Sequence, residues 1–106
     1  MTFYILNSPI LTDYGLWAFE GPLLIDQVRS KLTNGFVSAI GHRASANVLS
    51  QHLNICIPAQ RRQINMKPGD EALILRLKQR LPEGKILNEG ELKALDFELG
   101  LLTRLK

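Results

Sequence analysis

The sequence predicts an α/β domain, a mixed β-sheet of about five strands flanked by helices. Three observations carry that reading. Ala72-Leu-Ile-Leu75 is apolar at consecutive positions, so both faces of one strand seek cover, as in a central strand beneath helices. Arg43–Leu53 carries a helical spacing of apolar residues and starts directly after the β-rich run Phe36–Ile40. Strand-like and helix-like segments alternate along the whole chain with no repeat, linker or low-complexity tract. The 106 residues suffice for a single domain over 1–106, burying roughly two-thirds of the surface of its unfolded chain.

In order, Thr2-Phe-Tyr-Ile-Leu6 is a first, central strand that Asn7-Ser-Pro9 stops. Leu16-Trp-Ala-Phe19 is a short strand ended by Glu20-Gly-Pro22. Apolar residues at 24, 25, 28 and 32 mark a helix over Leu23–Leu32, with Asn34-Gly35 as its stop signal. Phe36–Ile40 reads as a buried strand, and Gly41-His42 joins it to the next helix. On that helix Ser45, Val48, Leu49, His52 and Leu53 share one face. Lys67-Pro-Gly-Asp70 has the residues of a type II turn and opens a strand over Glu71–Arg80. Arg76, Lys78 and Arg80 alternate onto one side of that strand, with Leu77 and Gln79 on the other, and Leu81-Pro-Glu-Gly84 follows as a loop. Asn88 and Glu91 form a capping-box pair for a short helix over Glu89–Leu95, and Phe97–Leu105 is a final strand.

The net charge of +3 is unevenly spread. Residues 1–53 carry three charges of each sign, whereas 61–85 hold seven basic residues against three acidic ones. A basic middle behind a neutral head suits a small anionic ligand better than a long nucleic acid. No apolar run approaches the ~20 residues of a membrane span, and the N-terminus lacks the pattern of a signal peptide. Cys56 stands alone between Ile55 and Ile57, which predicts a buried thiol, and a cytoplasmic location (a host cytoplasm if the chain is viral) is expected.

The chemistry centres on His42, at a strand-to-helix junction beside the positive end of a helix. Two readings stand: a helix-flanking residue with a structural hydrogen bond, or a proton-transfer group acting on a phosphate. His52 lies on an apolar helix face and reads as a packing or interface residue. The two histidines have no carboxylate at ligand spacing, so no metal site and no cofactor is expected. Arg76, Lys78 and Arg80 read as a solvated strand face or as a phosphate clamp, with Glu83 able to orient or deprotonate a hydroxyl, and Arg61-Arg62 as a clamp or a charged rim. Tyr4, Trp17 and Phe19 are expected in the core, in preference to serving as base-stacking platforms. No phosphate-binding loop, dinucleotide fingerprint, helix-turn-helix or nucleophile elbow is present.

Four segments together resemble the viral ring nuclease family, the type III anti-CRISPR enzymes with relatives in bacteria and plasmids. They are Gly35-Phe-Val-Ser-Ala-Ile-Gly-His42, the strand entry Pro68-Gly-Asp-Glu-Ala-Leu73, Arg80-x-Pro-Glu-Gly-Lys-Ile-Leu87, and Phe97-Glu-Leu-Gly-Leu-Leu-Thr-Arg-Leu105. The resemblance implies a homodimer that binds cyclic tetra-adenylate and cuts it without metal to linear di-adenylate ending in 2′,3′-cyclic phosphate. It implies His42 as the catalytic histidine, Arg80 and Glu83 as the arginine and glutamate of the active-site loop, and Asn7 and Arg61 as ligand contacts. Gly41, Arg76 and Gln79 complete the expected substrate-binding set. Two alternatives share the same pocket or the same charge: a protein that sequesters the ligand without turnover, and a small nucleic-acid-binding regulator using the basic 61–85 stretch.

Overall fold

The computed structural model describes residues 2–77 and 97–106. In chain order these residues form β1 (Phe3–Leu6), β2 (Trp17–Glu20), α1 (Ile25–Leu32), β3 (Val37–Ser38), α2 (Arg43–Leu53), β4 (Glu71–Leu77) and β5 (Phe97–Arg104). The strands make one five-stranded sheet in the order β2-β5-β4-β1-β3. β1 runs parallel to both β3 and β4, while β5 runs antiparallel to β4 and β2. The sheet is therefore mixed, as its sequence predicts. The helix expected over Glu89–Leu95 lies outside the described residues, as does the continuation of β4 through Arg80.

β4 occupies the middle of the sheet, and Ala72, Leu73, Ile74 and Leu75 are all buried. Alternation sends Leu73 and Leu75 to one face, where Phe3, Ile5, Leu99 and Leu101 meet Val28 and Leu32 of α1 and Leu49 and Leu53 of α2. Ala72 and Ile74 turn to the other face with Leu6 and Leu102. No helix among the described residues covers that second face. Its cover comes from the irregular chain after α2, where Ile64 and the fully buried Met66 reach in, and Trp17 and Tyr4 pack against the same cluster.

Local signals account for the boundaries. Leu24 counts as apolar in the helical spacing of the sequence, but it is the extended N-cap of α1 and is exposed; the Gln27 side chain accepts its N–H at 3.0 Å. Asn54 ends α2 in the left-handed region at φ 54°, a conformation that asparagine tolerates better than most residues. The Phe36–Ile40 run contributes a short edge strand, not a long buried one: only Val37 and Ser38 pair with β1, and past them the chain is held by Ala39 N–H donating to Ile5 O at 2.9 Å. Two expectations about side chains fail. Cys56 is exposed, because the extended chain after Asn54 turns Ile57 into the core and its neighbour out. Phe19 is exposed on edge strand β2, lying over Gly100 of β5, where an added Cβ would stand 2.6 Å from its ring; Trp17 and Tyr4 are half-buried.

The end of the sheet where β4 begins is fastened by a buried carboxylate. Gly69 takes φ +95° in the predicted turn, and Asp70 N–H donates to Lys67 O at 2.9 Å. The Asp70 side chain accepts N–H groups from Thr2 and from Lys67, each at 2.9 Å, joining the start of β1 to the turn before β4. Arg104 closes the same end. Its guanidinium donates to Met66 O at 2.6 Å and Tyr14 O at 3.1 Å and lies 5.6 Å from the Trp17 ring centre. Asp70→Ala leaves two backbone donors without their acceptor, so urea denaturation should show a loss of about 1–3 kcal/mol.

Candidate functional site

The opposite end of the sheet collects those of the residues singled out by sequence that are described and lie at or beyond the ends of β1, β3 and β4. In a parallel α/β sheet, ligands bind beyond the carboxyl ends of the strands. β1, β3 and β4 are mutually parallel, so their ends share one rim. Asn7 follows Leu6 at the end of β1 and is exposed. Gly41 and His42 follow β3, and Arg76 lies near the end of β4, two residues beyond the paired Leu6–Ile74 rung. Neighbouring strands stand about 4.8 Å apart, so Asn7 sits between the other two groups along the rim.

His42 is held by its backbone and free at its side chain. It is the N-cap of α2, in extended conformation (φ −121°, ψ 115°), and its carbonyl accepts Ala46 N–H at 3.1 Å. Its ring makes no capping hydrogen bond and is exposed, so the structural-hydrogen-bond reading of this histidine finds no cap to make. The preceding residues are fixed from both sides. Ile40 is fully buried, its carbonyl accepts Gln60 N–H at 2.8 Å, and Ser38 Oγ donates to Pro58 O at 2.6 Å. The Pro58–Arg61 stretch therefore lies along the β3–α2 junction and carries Arg61 to it. Arg61 Nε approaches Gly41 O at 3.4 Å, and its aliphatic stem crosses the glycine so closely that a Cβ there would meet Cγ at 2.7 Å. Gly41 is the seat of Arg61. Arg62 turns aside to donate to Gln60 Oε1 at 2.7 Å.

Arg43 received no role from the sequence beyond its place in a helix. It is exposed at the first helical position of α2, in a first turn with no acidic residue, so its charge adds to the positive end of the helix dipole. Its position directly after His42 was the available signal. Arg76 follows Ala72 and Ile74 onto the face away from the helices, and its guanidinium stands 4.0 Å from Glu98. The structure thus brings Asn7, Gly41, His42 and Arg61 to one stretch of rim and sets Arg76 farther along it. Gln79, Arg80 and Glu83, with Lys78, lie outside the described residues. His52 packs edge-on against Phe97 with ring centres 4.5 Å apart, in keeping with its packing role. Among the described residues no group of three or more His, Cys, Asp or Glu is placed to hold a metal ion, and no helix is long and apolar enough to cross a membrane.

With this geometry in hand, the chain compares directly with known proteins. Residues 3–99 match the family described as STIV B116-like. The chain belongs to that family. A solved structure, B116 of Sulfolobus turreted icosahedral virus, superposes with a TM-score of 0.80 over 98% of this chain and all of that one, at 22% identity, which speaks for the B116 fold alone. Curated B116-like relatives include ORF117 of Acidianus two-tailed virus, 46% identical over 67% of this chain, and protein 26 of a Sulfolobus islandicus filamentous virus, 39% identical over 83%. YddF of Bacillus subtilis is 30% identical over 99% of both chains. The alignment spans 62% of the length of the Acidianus two-tailed virus relative. These names state no activity, and the B116-like family takes in proteins of archaeal viruses and a bacterium.

The seat of Arg61 can be tested without touching any ionisable group. Gly41→Ala should leave unfolding free energy within about 1 kcal/mol, because the clash falls on a flexible side chain. It should nevertheless shift the Arg61 Nε–H resonance in an NMR spectrum, because the added methyl displaces the Arg61 stem.

Proposed function

We propose that this protein is a metal-independent ring nuclease that binds cyclic tetra-adenylate and cleaves it to linear di-adenylate with a 2′,3′-cyclic phosphate. The observation that carries this reading is the exposed His42 ring at the N-terminus of α2, beside an arginine seated on Gly41. An imidazole near a helix N-terminus and a guanidinium is placed for acid–base chemistry on a phosphodiester. The four-segment resemblance to viral ring nucleases, together with a B116-like family rich in archaeal viral proteins, supports a role in switching off type III CRISPR signalling.

In the reaction the ribose 2′-OH attacks the adjacent phosphorus in line with the 5′-oxygen. The new P–O2′ bond closes the cyclic phosphate as the P–O5′ bond breaks. His42 gives its proton to the departing 5′-oxygen, and Glu83 holds the 2′-OH and takes the proton it loses. Arg80 and Arg61 donate to the phosphorane oxygens, with Asn7, Gly41, Arg76 and Gln79 positioning the ring. A homodimer fits a four-fold cyclic substrate, since a two-fold axis sets identical sites on opposite phosphodiesters.

Incubation of labelled cyclic tetra-adenylate in excess EDTA tests the proposal. Wild type should release the di-adenylate cyclic phosphate, and His42→Ala should slow this by about 10²–10⁴-fold. Tight binding without conversion would make the protein a sequestering one. Loss of cleavage in EDTA with recovery on added Mn²⁺ would remove the metal-free mechanism. A monomer at micromolar concentration in light scattering would remove the two-site geometry.

A further inference from the structure

The stretch that brings Arg61 to the rim keeps a regular relation to the junction beside it. Ser38 meets Pro58, Ile40 meets Gln60 and Gly41 meets Arg61, each pair 20 residues apart in sequence. The two segments therefore run side by side, in the same direction and in register. A backbone bond, Gln60 N–H to Ile40 O at 2.8 Å, joins them at one point. One such bond lets an extended segment pivot about it. A second anchor two residues earlier, about 6.6 Å along the chain, fixes its direction. That anchor is a side chain, the Ser38 hydroxyl, which donates to Pro58 O at 2.6 Å. Ser38 is 3% exposed and alternates with the fully buried Ile40 toward the helix-covered face, while Ala39 packs on the other. Alanine would fill nearly the same space without desolvating a polar group, so what the hydroxyl contributes is its bond to Pro58.

We infer that Ser38 is a positioning residue for the proposed cleavage, acting through Arg61. Its hydroxyl fixes the register of the 58–61 stretch and so keeps the Arg61 stem over Gly41, at the side of His42. The inference rests on the reaction proposed at His42 and deepens it. Arg61 has little hold of its own at the rim. Its Nε contact to Gly41 O is 3.4 Å, at the long limit of a hydrogen bond, and its side chain is exposed. Where the guanidinium stands is set by the backbone that carries it, and Ser38 is the buried side chain that sets that backbone. A donor to the phosphorane works only if it is in place before charge develops, and a misplacement of about 1 Å can cost about 10²-fold in rate.

A double-mutant cycle with an NMR readout tests this. Ser38→Ala should shift the Arg61 Nε–H resonance of the free protein and slow cleavage of cyclic tetra-adenylate by about tenfold, lowering kcat more than it raises KM. In an Arg61→Ala background the same substitution should change the remaining rate by no more than about twofold, because the group it positions is gone. Ser38→Cys, of similar size with a weaker donor, should fall between wild type and Ser38→Ala in both readouts. Equal slowing in the two backgrounds is what a merely structural hydroxyl would give, and it would overturn the inference. So would an Arg61 resonance that neither variant moves. Wild type without cleavage would remove the proposed reaction itself, while a shifted Arg61 resonance in the variants would still uphold the placement of Arg61 by Ser38.

Discussion

The burial of β4 on both faces is the constraint on which the rest of the structure depends. Its four consecutive apolar residues must be covered above and below, and each large one contributes about 1.5–3 kcal/mol by leaving water. Helices supply one cover and the extended chain around Ile64 and Met66 supplies the other. A strand so placed needs a neighbour on each edge, and this chain provides one of each kind. β5 is antiparallel and β1 is parallel. The parallel choice positions the candidate site, because β1 also pairs with β3 in the same sense. Three strand ends from distant parts of the sequence are thereby brought to one rim, while the Asp70 and Arg104 contacts hold the other end together.

Backbone rigidity and side-chain freedom are divided with some care at that rim. Ile40 is buried, Gly41 is covered by the Arg61 stem, and the His42 carbonyl belongs to α2. What faces outward are the imidazole and the arginine head groups. Arg43 adds a cation where the helix dipole already disfavours one. This accumulation of positive charge fits the proposed ligand, since a phosphate there would relieve the dipole and the two guanidinium groups at once.

Much of this was legible in the sequence, and the exceptions have physical reasons. α2 runs over Arg43–Leu53 as the spacing predicts, because Ser45, Val48, Leu49 and Leu53 are buried together and Asn54 ends the helix. The Pro68-Gly69 turn and the final strand follow equally directly from local chemistry. Leu24 misled because an apolar residue at an N-cap counts toward periodicity without facing the core. Cys56 and Phe19 misled because hydrophobicity says which residues prefer burial and not which can obtain it. Phe19 sits on an edge strand, and Cys56 points outward between Ile55 and Ile57, which face in. His42 could be located from sequence, but its lack of a capping bond could not, nor could the seating of Arg61 on Gly41, which depends on how the chain twenty residues later returns to the junction.

That return also explains why a small domain can keep its stability and its site apart. The 58–66 stretch fixes Ile40 through Gln60, offers Arg61 to the rim, and buries Met66 beneath the sheet. One end of the stretch serves the site while the other serves the core. Substitutions at His42 or Arg61 remove exposed groups and leave the hydrophobic clusters whole, whereas loss of Met66 opens a cavity in the second cluster. In this arrangement the double-sided burial of β4 sets where the charged rim lies without depending on the groups exposed there.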